Sequence, residues 1–149
     1  MPTNILRKAA DARKPQPKAT RTESGPRSAV LTAGRISIRI ELAETPTADL
    51  VWRALPLHST AETWGQAIHF ETPLEAGRDR TARINAVVGD IYFWVEDDRI
   101  IIPFGATPIS RPGEIRLSSP ANIWARALDD VKALAAVQPG QKVSLIAAG

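Results

Sequence analysis

The stretch GDIYFWVEDDRIIIPFGATPIS, residues 89–110, contains two apolar runs around one acidic turn, Glu96-Asp97-Asp98. A strand with one wet face alternates apolar and polar residues. These runs do not. Ile91, Phe93 and Val95 point to one face, but Tyr92 and Trp94 point to the other. On the return run Ile100 and Ile102 oppose Arg99, Ile101 and Pro103. The hairpin therefore needs cover on both faces, from packed protein, a ligand or a partner.

Working outward, alternation recurs. RISIRIEL (35–42) sets Ile36, Ile38, Ile40 and Leu42 against Ser37, Arg39 and Glu41, and marks where order is expected to begin. RTARINAVV alternates too, and QKVSLIA follows the Pro139-Gly140 breaker. LHSTAETWGQAIHFETP reads as extended chain broken at Gly65, with Ile68 and Phe70 on one face and His69 and Glu71 on the other. Between strands, Thr45 is placed to cap a short helix with Pro46 at its first position. Ala48, Val51 and Leu55 share its inner face, and Pro56 stops it.

In SSPANIWARALDDVKALAAVQPG, helical spacing of Trp124, Ala127, Leu128, Val131 and Leu134 suggests one helix capped by Ser119. Residues 121–126 are equally compatible with a strand. The many short strands, two short helices and lack of strand–helix alternation predict a mostly β protein with a closed sheet and helices over its ends.

Composition narrows the function classes. The chain has 149 residues and no cysteine, which fits one domain and excludes disulfides and thiolate chemistry. No apolar run reaches the roughly 20 residues needed to cross a bilayer, so no membrane partner is expected. A cytoplasmic location is expected, in keeping with the missing disulfides. The net charge of +3 hides a division. Residues 1–28 hold seven basic and two acidic residues, and the remainder twelve basic and fourteen acidic. The first segment, rich in proline, reads as a disordered basic tail, and 29–149 as the folded domain. Nucleic acid is not an expected partner, since only the tail is basic.

The same residues carry a resemblance. ETWGQAIHF, GDIYFWVEDDRIIIPFGATPIS and SSPANIWARALDDVKAL are similar, in that order, to the three signatures of the small cyclophilin-like domains of bacteria and archaea. ELAETPTADLVWRALPL resembles the family's first strand and helix. The resemblance spans about residues 35–147. It implies a closed, cyclophilin-like eight-stranded barrel capped by short helices, a strand at 121–126 and a helix from about Asp129. The family's role is uncharacterised. Ala67 and His69 stand where the resemblance expects Glu and Tyr. Trp124-Ala125 replaces a small aliphatic-Gly pair, and the acidic EDD replaces a Pro-Pro-Gly-like turn. The arginine-led segment of prolyl isomerases has no match around Arg83.

Candidate sites follow. His69 and Glu71 share a strand face, but no third ligand is spaced to complete a metal site. Ser59, Thr60 and Ser110 lack a nucleophile elbow, and no phosphate-binding glycine loop is present. No catalytic residue, metal or cofactor is therefore assigned. The aromatic residues are the better candidates. Trp64, Tyr92 and Trp94, with His69, Thr107 and Asn122 as polar groups, are expected to line an aromatic cleft for a small molecule or an extended peptide. The alternatives are a divergent peptidyl-prolyl isomerase or other enzyme, and a protein–protein interaction domain that self-associates.

Overall fold

The computed structural model describes residues 26–148. Ten strands form one antiparallel sheet: β1 Ser28–Ala33, β2 Ile36–Leu42, β3 Leu57–Thr60, β4 Glu62–Thr63, β5 Ala67–Glu71, β6 Arg83–Asn85, β7 Asp90–Trp94, β8 Arg99–Pro103, β9 Arg116–Ala127 and β10 Lys142–Ala147. Their order is β3-β10-β1-β2-β9-β7-β8-β5-β4, with β6 also on β9. Helix α1, Pro46–Ala54, and a 3-10 helix, Val131–Ala136, pack on the inner face through Ala48, Val51, Val131 and Leu134. Thr45 caps α1 as its sequence predicts, its Oγ1 accepting from Ala48 N at 3.1 Å.

The expected closed eight-stranded barrel is not formed; the sheet is open. Its two ends, β3 and β4, are separated only by Ala61. There the chain turns from one edge to the other: Ala61 N donates to Gln141 O beside β10, whereas Glu62 pairs with His69 of β5. Among the described residues no backbone ladder joins β3 to β5. A single side-chain bond crosses that seam, Ser59 Oγ to Glu71 O at 2.8 Å. Closure fails because one bent segment is divided between two neighbours and is too short to pair fully with either.

The first strand was missed by pattern. Order begins before Arg35, with β1, whose inward residues are Ala29, Leu31 and Ala33. Two alanines in three give almost no apolar signal. The tail also begins earlier in the chain than expected. Residues 1–25 lie outside the described residues, but Arg27 is docked. Its carbonyl accepts from Leu42 N, and its guanidinium reaches Ala43 O at 3.0 Å and Asp49 at 3.0 Å and lies over the Trp52 ring.

Residues 121–126 are strand, as the resemblance implies and the helical spacing does not. The reason is a β-bulge. Ile123 pairs with Tyr92 and Ala125 with Ile91, so Trp124 is the extra residue and sides with Ala125 on the inner face. Two adjacent inward residues break the strand period and mimic a helical one. The Trp124 indole N–H is buried without an acceptor.

The hairpin's two faces are both covered by protein. Ile91, Phe93, Ile100 and Ile102 join the main core between sheet and helices. Tyr92, Trp94 and Ile101 join a second cluster on the outer face, with Ala67, Leu117 and Ala121. Trp94 is 5% exposed, so its indole belongs to a packed cluster as firmly as Phe93 does. Truncation of either residue to Ala is expected to cost about 3–5 kcal/mol. Denaturant melts showing Trp94→Ala near wild-type stability would remove the second cluster from the fold's support.

Candidate functional site

The outer face of β5, β8 and β7 carries the groups that packing does not consume. A tight turn, in which Trp64 N donates to Ala67 O at 3.0 Å, lays Trp64 over the sheet. Its ring centroid sits 5.4 Å from that of Trp94, tilted 43°. The turn is held from behind. Gly65, at φ +59°, presses on the following loop so closely that a Cβ would stand 2.7 Å from Pro108 Cδ and 2.9 Å from Ala106 O. Gln66 Oε1 accepts from Ala106 N at 3.0 Å. Trp94 is anchored beneath by its Nε1–H, which donates to Ser119 Oγ at 2.7 Å. Trp64 is thus half-buried, backed by a buried ring, and borne on a turn fixed at both ends.

Beside it, His69 meets Trp94 edge-on, centroids 6.0 Å apart at 89°. Arg99 Nη1 lies 3.3 Å from His69 Nδ1 and 3.5 Å from Glu62 Oε2. A guanidinium only donates, so Nδ1 accepts and the ring proton sits on Nε2. Burial pushes the His69 imidazolium below its ordinary range, and the Arg99 charge adds to this against the opposing pull of Glu62 and Asp97. His69 is therefore neutral at neutral pH. Glu62 also lines a polar cleft of about 520 Å³ at the seam, with His58, Ser59, Thr60, Glu71, Thr72 and Pro73. Aromatic platform and cleft are contiguous through Glu62.

The six candidate residues do not converge. Trp64, His69 and Trp94 come together. Tyr92 belongs to the same cluster but is fully buried, its hydroxyl accepting from Val87 N at 2.8 Å. Thr107 sits under the neighbouring loop, donating to Arg116 O and lying 3.0 Å from Ser110 Oγ. Asn122 faces inward opposite Phe93, and its amide is used on Thr47 Oγ1, Gly77 O and Asp79 N, tying residues 77–81 to the sheet. Missed by the sequence reading were Arg99 and Glu62. Arg99 was visible as a lone cation after the acidic turn, but its closeness to His69 follows only from the register Glu71↔Arg99 and His69↔Ile101. Among the described residues no group of His, Asp and Glu is arranged to hold a metal ion. No helix there is long and apolar enough to cross a membrane.

The cyclophilin-like family model matches residues 25–146. The chain belongs to the cyclophilin-like family. It is similar to the hypothetical protein AF2241 from Archaeoglobus fulgidus, whose solution structure matches with a TM-score of 0.72 at 28% identity, over 83% of this chain and 95% of that one. The structure of McbB in complex with tryptophan shares the fold, with a TM-score of 0.61 at 12% identity over 81% of this chain and 45% of that one. No curated protein matches. Within the cyclophilin-like family this member thus carries His69, Arg99 and Glu62 on its outer face.

The His69 titration checks this geometry. Its folded midpoint lies below the ordinary value of about 6.5, so the neutral ring is the folded form above that pH. Arg99→Ala is expected to raise the midpoint without restoring it fully, since burial remains. Ring-proton NMR showing no upward shift would separate Arg99 from His69.

Proposed function

We propose that this cyclophilin-like domain is a binding module that takes a small molecule with a planar apolar part against Trp64, its polar part reaching the seam cleft. The observation that carries this reading is the Trp64 platform: a half-exposed indole backed by buried Trp94 and bordered by His69, Arg99 and Glu62. A preorganised aromatic wall beside a few polar groups is the usual make-up of a ligand site. Thr107 and Asn122 are left out, because their side chains already serve internal bonds.

Saturation-transfer NMR with indole, benzoate and benzamidine tests it. Trp64→Ala is expected to abolish the contact of at least one fragment and to leave the melting midpoint within a few degrees, the shift that roughly 1 kcal/mol produces in a domain of this size. Fragment contacts that survive Trp64→Ala, or none in the wild type, overturn the proposal. The sign of the preferred fragment reports whether Arg99 or the carboxylates of Glu62 and Glu71 dominate.

A divergent prolyl isomerase is the second reading, since Arg99 places a guanidinium on the outer face. Rotation about the imide has a barrier of about 18–20 kcal/mol, and lowering it needs free, fixed donors. Arg99 Nη1 is already shared between Glu62 and His69, and Arg83 Nη1 turns back to Ala82 O at 3.0 Å. Activity is expected to be absent or very weak in a protease-coupled peptide assay. Rates of an ordinary cyclophilin that vanish on Arg99→Ala would establish the enzyme instead. An interaction or self-associating domain has less support: the exposed large apolar residues Val87, Val88, Ile109, Leu128 and Ile146 are divided among separate segments.

A further inference from the structure

A second cleft, of about 330 Å³, lies away from the aromatic platform, where β2 passes β9. Leu42, Ile123 and Ala125 contribute apolar lining, and Glu41, Glu44, Asp90 and Arg126 polar lining. Three carboxylates thus face one guanidinium, and that guanidinium is committed to Glu41 at 2.8 Å. Asp90 is the cross-strand neighbour of Arg126, yet burial still pushes its carboxyl above the ordinary range. One more cation would complement the cleft.

The chain carries such a cation to its mouth. Ser28 pairs with Glu41, and Arg27 is bonded to Leu42 and Ala43, so the antiparallel register brings Pro26 beside Ala43 and Glu44. The segment ahead of Pro26 has six basic residues and two acidic ones. The family match begins only at residue 25. Arg21 is its basic residue nearest to Pro26, and the five residues between them span at most about 17 Å when extended.

We propose that this cleft is the docking site of the chain's own segment ahead of Pro26, with the Arg21 guanidinium seated against Glu44 and Asp90. The segment's charge, its point of departure and its reach all fit. Docking would cover the apolar lining and give Asp90 the partner that Arg126, held by Glu41, only partly supplies.

Carboxyl NMR titration of Asp90 in the full chain tests this. Removing a cation beside a carboxylate raises its midpoint, so Arg21→Ala is expected to move Asp90 up by about one unit, with amide shifts at Ile123 and Ala125. Arg21→Lys, which keeps the charge, is expected to stay near wild type. Arg21 lies ahead of the packed strands, so neither variant threatens the fold. Wild-type and Arg21→Ala curves that overlay overturn the docking. A shift that grows with protein concentration overturns docking within the chain and gives the cleft to a second copy's segment.

Discussion

Burial of the β7–β8 hairpin on both faces is the constraint on which the rest depends. One face enters the core between the sheet and its two helices; the other holds Tyr92, Trp94 and Ile101 in an outer cluster. Without the inner core the helices have nothing to cover. Without the outer cluster Trp64 has no backing, and a lone surface indole is no platform. The two cores also divide the roles. The inner one supports the fold, and the outer one stiffens the surface that carries His69 and Arg99.

The seam shows how incomplete pairing creates polar space. The segment from Leu57 to Thr63 bonds first to β10 and then, past Ala61, to β5. Its bend leaves β3 beside β5 without a ladder, so a cleft opens there, lined chiefly by polar and charged side chains. A fully closed sheet would fill this place with backbone hydrogen bonds. The open sheet and the candidate site therefore have one cause.

His69, Arg99 and Glu62 are a coupled group. Arg99 holds the neutral histidine in one tautomer while answering the charge of Glu62. Any ligand that takes Arg99 away changes both neighbours. The outer face is thus responsive in charge though rigid in shape, because Trp94 and the Gly65 turn fix the rings around it.

Sequence alone determined much of the strand framework. Period-two alternation marks β2, β5 and the hairpin, and Thr45-Pro46 marks the start of α1, because these signals are local: they depend on side-chain direction and backbone preference within a few residues. It also made plain that the hairpin needed cover on both faces. Other features were set only in three dimensions. The bulge at Trp124 hid a strand behind helical spacing, since an inserted residue shifts the face of everything after it. Alanine-rich β1 was silent because small side chains are recognised as core only once their neighbours are known. Asn122 was drawn into a structural network, and Arg99 brought to His69, by cross-strand register, which is a property of paired strands and not of any one of them. The open seam was likewise out of reach of pattern, because whether the last edge meets the first depends on how far a single bend at Ala61 carries the chain.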